Sequence, residues 1–257
     1  MLIPLFVLFS CNKEQTAQEI LNSTIASIDT IETIYFKQDM KRTNPRNVDE
    51  TISRYREMYF SRLLGDSIVG LKGHWYMYID DKENIIYEDI FDGDRLIRKN
   101  NRDSTARIYD LAKYPEFREQ HFWSHNTLYG MQHSFRYMLD NRQYYIFNRL
   151  NDTVFQNTNC YQIEIILEDK STMPGFETKL EESEGSISRT LFFINQHNFY
   201  PLKMREEFYS SENPEQKVFI DQTYHDIRYN LKIAEDIQFD TSVESISGYG
   251  ITEIKPQ

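Results

Sequence analysis

The pattern of apolar and polar positions begins with a short helix. Thr16-Ala17-Gln18-Glu19 has the form of a capping box, in which the first and last side chains each bond the other residue's backbone. Apolar residues then recur at helical spacing, at Ile20, Leu21, Ile25 and Ile28. The sequence therefore predicts a helix of about a dozen residues after Thr16.

Most of the remaining chain alternates with a period of two, which is typical of β-strands separated by polar turns. Strands are predicted at 29–40, 55–60, 75–79, 85–90, 95–98, 106–110, 144–147, 160–167, 187–194, 202–209, 217–224 and 229–231. Residues 168–185 are polar and contain Met173-Pro174-Gly175-Phe176, so we expect a long loop there. Residues 238–257 are expected to be loosely ordered.

The strands are interrupted by a second helical region at residues 114–141. Its apolar residues fit one or two helices with a break near Gly130, and they are Phe117, Phe122, Leu128, Met131, Phe135, Met138 and Leu139. The fold class that these elements indicate is α+β, with strands in the majority.

Three local patterns resemble the LolA/LolB superfamily of lipoprotein carriers and sensors. They are Ile34-Tyr35-Phe36-Lys37-Gln38, then Asp92-Gly93-Asp94-Arg95-Leu96, and finally Leu191-Phe192-Phe193-Ile194-Asn195 with Tyr200-Pro201-Leu202-Lys203-Met204. The resemblance implies a strongly curved antiparallel sheet, or half-barrel, with an N-terminal helix and a mid-chain helical insertion that covers the concave face. The chain is also similar to N-terminal regions of Bacteroidota lipoproteins that carry a TlpA-like thiol-disulfide oxidoreductase. It contains no Cys-x-x-Cys, so we expect the redox half to be absent.

The first residues indicate export and lipidation. Residues 2–9 are apolar and uncharged but too short to span a bilayer, which takes about 20 residues. Leu8-Phe9-Ser10-Cys11 resembles the lipobox of bacterial lipoproteins. We therefore expect a signal peptide at 1–10, a tether lipidated on Cys11 at 11–15, and one domain at 16–257. The alternative is an N-terminal strand that ends in an ordinary core cysteine.

This interpretation places the protein in the cell envelope, anchored through Cys11 to the outer membrane on either its periplasmic or its surface face. The net charge of -11, from 29 basic and 40 acidic residues, argues against nucleic acid as a partner. The second cysteine, Cys160, lies in a strand pattern and is expected to be a small buried apolar residue.

Motifs for catalysis are weak, so we expect no enzymatic activity and no cofactor. His121 and His125 are spaced to share one helical face, but a zinc site needs a third ligand and the glutamate of the metalloprotease motif is missing. The acidic clusters fall in predicted turns or on exposed strand faces, where a solvated surface is the simpler interpretation. No nucleophile elbow, phosphate loop or dinucleotide motif occurs.

The aromatic strands suggest an apolar binding site. On one predicted strand, Trp75, Met77 and Ile79 share a face, opposite Tyr76 and Tyr78. An apolar sheet face must be covered by a helix or filled by a ligand. We predict a cavity for a lipid, acyl chain or lipoprotein, lined by Met58, Phe60, Trp75, Met77, Ile86, Leu191 and Phe193, with Phe122 and Trp123 in its lid.

Two other hypotheses stay open at this point. One is a closed-core accessory domain that interacts with an envelope partner of a redox or nutrient-handling system. The other, more distant, is a metal-assisted hydrolase. A continuous cavity favours the first hypothesis, an exposed patch over a closed core favours the second, and convergent titratable groups in a cleft favour the third.

Overall fold

The computed structural model describes residues 14–44, 46–63, 70–79, 83–115, 128–173, 176–230 and 239–255. Two α-helices lie in these ranges, α1 (Ala17–Asp29) and α2 (Leu128–Asp140). Short 3-10 turns follow at Arg142–Tyr144 and Glu244–Ile246. In this part of the chain, no helix is long and apolar enough to cross a membrane.

The described strands all belong to one sheet. Their bounds are β1 (Thr33–Asn44), β2 (Asn47–Arg62), β3 (Leu71–Ile79), β4 (Ile85–Phe91), β5 (Arg95–Asn100), β6 (Thr105–Asp110), β7 (Tyr145–Arg149), β8 (Thr153–Phe155), β9 (Thr158–Met173), β10 (Phe176–Asn195), β11 (Pro201–Ser210), β12 (Asn213–Tyr229) and β13 (Gly250–Ile254).

The sheet is large, open and curved, as predicted for the fold class. Its order is β13-β6-β5-β4-β3-β2-β1-β12-β11-β10-β9-β7, with β8 paired to β9. Two meanders, β1 to β6 and β7 to β12, are therefore joined through the pairing of β1 with β12. All neighbours are antiparallel except β13, which pairs parallel to β6.

Helix α1 begins as predicted. The Thr16 hydroxyl accepts from the Glu19 backbone N–H at 3.2 Å, and the Glu19 carboxylate accepts from the Thr16 backbone N–H at 2.7 Å. Its buried face meets the sheet and α2. The Gln132 side chain donates to the Ile25 carbonyl at 2.9 Å, and Arg136 pairs with Asp29 at 2.6 Å. The mid-chain helix thus packs beside α1 over the sheet.

The predicted loop at 168–185 is wrong, because β9 and β10 continue through most of it as paired strands. The sequence there is mostly polar, and the pairing is stabilised by cross-strand contacts such as the Lys170–Glu182 ion pair. Where an antiparallel sheet extends past the helices that cover it, the strands have less apolar surface to bury. Their sequence then lacks the alternation of apolar and polar residues by which strands are predicted.

Three smaller expectations are also corrected. Gly130 lies inside α2 and does not break it, while residues 116–127 fall outside the described part of the chain. The tail is ordered by β13 and by Ile246, which is buried in a small cluster with Ile97 and Ala106. Of the predicted strand at 229–231, Tyr229 is the last residue of β12 and Leu231 lies outside the described part of the chain, and β8 was not predicted.

The packing of Gly73 generates the first prediction. A Cβ added to Gly73 would lie 2.7 Å from Phe60 Cε1 and 2.9 Å from Trp75 Cζ3, and both rings are buried. Gly73→Ala is therefore expected to lower the free energy of unfolding by about 1–3 kcal/mol through overpacking. Urea denaturation measures this change.

The matched control is Gly250→Ala, where the nearest neighbour of the added Cβ is the Ser104 carbonyl oxygen at 3.8 Å. This variant should unfold at nearly the wild-type urea concentration. Equal stability of the two variants would show that the contact of Gly73 with the two rings is not tight.

Candidate binding face

The inner face of the sheet is the face on which α1 and α2 pack. Directly paired residues of antiparallel strands point to the same side. Phe36 of β1 pairs with Met58 of β2, which pairs with Trp75 of β3, and Trp75 pairs with Asp89 of β4. These rows run across the sheet and give the inner face two zones, one apolar and one rich in arginine.

The apolar zone is filled with aromatic rings. Phe36 stacks on Phe60 with a centroid distance of 6.0 Å, and Phe60 lies 5.8 Å from Trp75. From α2, Phe135 meets Phe192 edge-on at 4.9 Å. All five rings are almost completely buried. This half of the inner face is a packed core beneath the helices.

The arginine zone lies farther along the same strands. Arg42 of β1 and Arg54 and Arg56 of β2 are on the inner face, since Arg54 pairs with Met40 and Arg56 with Gln38. Met77 of β3 is opposite Arg56. The three arginines are partly buried, and no carboxylate lies within ion-pair distance of them among the described residues. Cationic and apolar side chains therefore interleave in this zone.

The hydrogen-bonding capacity of these arginines is largely unused. The Nε atoms of Arg42, Arg54 and Arg56 are buried and have no hydrogen-bond partner in the structure. Arg56 donates through Nη1 to the Gln38 side chain at 3.3 Å. Burial, together with the charge of Arg54, lowers the pKa of Arg56 to about 10. Burial and the charge of Arg42 likewise lower the pKa of Arg54.

A neutral hydrogen-bonded cluster separates the two zones. The Gln38 side chain donates to Gln222 at 2.5 Å, and the Tyr224 hydroxyl donates to the same Gln222 oxygen at 3.1 Å. The Tyr224 ring packs edge-on against Phe36 at 5.5 Å. Burial raises the pKa of Tyr224, so its hydroxyl stays protonated at neutral pH. This cluster thereby holds the arginine zone directly beside the aromatic core.

One buried carboxylate is also present on the inner face. Asp89 is 2% exposed and accepts from Arg98 Nε and Nη2 at 3.0 and 2.8 Å. Burial raises the pKa of Asp89, although the charge of Arg98 opposes that shift. Arg98 binds both oxygens of Asp89, and the charge of Asp89 also attracts Arg56 without forming an ion pair with it.

Many charges of the outer face are paired. Lys37 pairs with Glu57 at 3.2 Å and Lys203 with Asp221 at 2.9 Å. His74 and Lys99 both contact Glu88, at 2.8 and 3.2 Å.

A groove of about 540 Å³ lies at the far ends of β9 to β12. Phe208 and Val218, which line it, pair with each other on the inner face, in a row beyond that of Met204 and Gln222.

The structure separates the residues predicted to line a cavity. Met58, Phe60 and Trp75 lie on the inner face, but they are packed into the core cluster. Met77 is on the inner face beside Arg56. Ile86 is buried outside that cluster, next to an irregularity in the pairing of β3 with β4.

The placement of Leu191 and Phe193 on the inner face was wrong. Phe192 between them is the residue buried in the core, whereas Phe193 packs on the opposite face against Phe155 at 5.4 Å. Apolar residues stand on both sides of β10, so alternation alone does not say which side faces inward. Phe36, Phe135, Phe192, Tyr224 and the inner-face arginines were not predicted.

Several predicted residues fall outside the described part of the chain. They are Cys11, His121, Phe122, Trp123 and His125. Within the described residues, no group of three or more His, Cys, Asp or Glu side chains is placed to hold a metal ion. Cys160 is a buried thiol whose pKa is raised by burial, in agreement with its predicted place in a strand.

Comparison with known proteins gives likenesses of structure alone. By sequence, no protein family and no curated protein matches the chain. The lipoprotein LppX from Mycobacterium tuberculosis is 8% identical, with 85% of this chain and 97% of that chain covered and a TM-score of 0.49. LprF from Mycobacterium bovis is 9% identical, with coverages of 85% and 96% and a TM-score of 0.47.

A LolA superfamily protein, NE2245 from Nitrosomonas europaea, is 12% identical over 87% of this chain and 96% of that chain, with a TM-score of 0.34. It belongs to the superfamily that the sequence resembles. Identities and TM-scores as low as these do not identify a ligand or an activity of this chain.

The Asp89–Arg98 pair generates the second prediction. Asp89→Asn removes the charge from a buried acceptor of two hydrogen bonds, so we expect the free energy of unfolding to fall by about 2 kcal/mol. The control is Asp226→Asn, which breaks an exposed pair with Arg228 and should change stability by less than about 0.5 kcal/mol. Chemical denaturation at neutral pH tests both variants. A loss no larger at Asp89 than at Asp226 would contradict the prediction.

Proposed function

We propose that the protein is a lipid-anchored, non-enzymatic protein of the cell envelope that binds the apolar part of a lipid or lipoprotein on the inner face of its sheet. The observation that carries the proposal is the difference in size between this face and the two described helices that pack on it. Twelve strands side by side span about 50 Å, and β2 alone is about as long. Helices α1 and α2 each have 13 residues, so each is about 20 Å long and about 10 Å across.

The side chains next to the covered core suit an apolar ligand that varies in shape. Met77 is partly exposed on the inner face beyond the aromatic core, opposite Arg56, and Met40, which is buried, pairs with Arg54. Methionine is flexible and polarisable, and it adapts to irregular apolar surfaces. Tyr87 pairs with Met77 and adds an amphipathic ring to the same region. We infer that the apolar part of the ligand contacts this region.

A second candidate function is supported by the density of the aromatic core. Phe60 and Trp75 leave no room even for a methyl group at Gly73. A protein whose entire core is closed in this way would act through its surface, as an accessory domain for another envelope protein. Uptake of an apolar ligand distinguishes the two functions, because the closed-core domain has no place for it.

The third prediction concerns this uptake. A fluorescent acyl probe added to the full chain carrying Cys11→Ala, which has no acceptor for its own lipid, should bind saturably. Met77→Glu replaces an apolar side chain opposite Arg56 with a carboxylate, and it is expected to weaken the binding at least tenfold because the acyl chain would lose an apolar contact and would have to displace the water around a charged group. Fluorescence titration measures the dissociation constants.

Val154→Glu is the matched control, because Val154 is 65% exposed on β8 and lies away from the inner-face arginines. It should bind the probe like the parent chain. Equal weakening by both substitutions would place the site elsewhere, and no binding to the parent chain would favour the closed-core accessory domain.

The fourth prediction concerns the anchor. We propose that Cys11 carries the lipid, and a doubly acylated cysteine holds a protein stably on a membrane. The wild-type chain should stay with the membrane fraction after a carbonate wash, whereas Cys11→Ala should be released. Cys160→Ala is the control and should stay membrane-bound. Retention of the Cys11→Ala chain would refute lipidation at this residue.

A further inference from the structure

We propose that Arg42, Arg54 and Arg56 form a binding site for an anionic group, a phosphate or a carboxylate, at the polar end of the ligand. The inference rests on the proposed function and adds the chemical class of the ligand, an anionic amphiphile. Its basis is the juxtaposition, on one face of the sheet, of an apolar strip and three arginines that form no ion pair with any described residue.

The three arginines are neighbours by register. Arg54 and Arg56 are two residues apart on β2, so their Cα atoms are separated by about 7 Å. Arg42 pairs with Ile52, which makes it the diagonal neighbour of Arg54 across β1 and β2. Like charges at this spacing repel one another, and partial burial strengthens the repulsion. An isolated sheet would gain stability by replacing any of them with an apolar residue.

A lack of carboxylates does not explain why these charges are unpaired. The chain has 40 acidic and 29 basic residues, and several basic residues on the outer face have acidic partners, as Lys203 does in Asp221. Around the inner-face arginines, Asp89 attracts Arg56 but is bound by Arg98, Glu50 accepts from Asn44 and Asn47, and Glu206 is two strands from Arg42 in the register. The protein concentrates unpaired positive charge on the one face that we propose for ligand binding.

The free donors specify the kind of group that fits. Each guanidinium presents a planar fork of N–H donors that matches the oxygens of a carboxylate or phosphate. The buried Nε atoms of all three residues have no acceptor in the structure, and Arg56 uses only Nη1, toward Gln38. An oxyanion placed among them would accept these hydrogen bonds and reduce the repulsion between the three charges.

The surroundings favour an amphiphile over a free anion. Met40 and Met77 alternate with the arginines along the rows of the sheet, and the aromatic core begins at the adjacent row. An acyl chain leaving the anionic group therefore meets apolar side chains at once. A free phosphate would use the arginines but gain nothing from the methionines.

The test compares a fluorescent fatty acid with its methyl ester, which has the same chain but no charge. Both are titrated into the full chain carrying Cys11→Ala, and inorganic phosphate is used as a competitor. We expect the acid to bind at least tenfold more tightly than the ester, and phosphate to displace the acid only weakly. In Arg54→Met with Arg56→Met, the preference for the acid should fall at least tenfold, because the acid binds more weakly while the ester binds at least as tightly as it does to the parent chain.

Two further variants control for structural damage. Arg54→Lys with Arg56→Lys keeps the charges but loses the planar forks, and it should retain an intermediate preference for the acid. Arg102→Met removes an exposed arginine in the turn between β5 and β6 and should bind like the parent chain. Without ligand, the melting temperature of the double methionine variant should equal or exceed that of the parent, because like-charge repulsion has been removed.

The outcomes separate this inference from the proposed function. Equal affinity for acid and ester in the parent chain, unaffected by the methionine substitutions, would overturn the anionic site and leave apolar binding in place. Failure to bind either probe would overturn the proposed function. Tight binding of phosphate alone, lost in the methionine variant, would show that the arginines take a free anion, and the amphiphile would be rejected.

Discussion

The inner face of the sheet is much larger than the two described helices that pack on it, and the arrangement of the molecule depends on this mismatch. An apolar sheet face in contact with water is unstable, so the sequence has to end the apolar pattern where helical cover ends. Along β1, Phe36 lies in the aromatic core, and Gln38 belongs to the neutral cluster at the border of the arginine zone. Along β2, the same change takes place between Met58 and Arg56.

The boundary between the two zones is made by neutral groups. Gln38, Gln222 and Tyr224 bond one another, and the Tyr224 ring also packs against Phe36. A satisfied neutral network costs little to bury and fixes the register of β1 against β12 at the joint between the two meanders. The arginines can therefore be held close to the aromatic core without a charged group entering it.

Stability and binding make opposite demands on the arginine zone. Burial lowers the pKa of Arg54 and Arg56, which shows that the folded protein disfavours these charges where they are. On the outer face, ion pairs such as Lys37–Glu57 remove this conflict. Groups that destabilise a fold and lack partners are concentrated at functional sites, because a ligand supplies the missing interaction. This contrast between the two faces is the main support for a charged ligand.

The sequence by itself determined the elements that depend on neighbouring residues along the chain. The capping box at Thr16 and Glu19 fixed the start of α1, and two-residue alternation located most strands. Alternation did not say which side of β10 is buried, since Leu191, Phe192 and Phe193 are all apolar. It also failed between 168 and 185, where β9 and β10 are paired although their sequence is mostly polar.

The candidate site was decided by tertiary structure. In the sequence, Arg42, Arg54 and Arg56 look like ordinary polar positions of a strand, since alternation identifies two faces without assigning either to water. The pairing of β1 with β2 and of β2 with β3 brings them together beside Met40 and Met77. Periodicity is a property of neighbouring residues along the chain, whereas a binding site depends on register between strands, which is set by contacts that are distant in sequence.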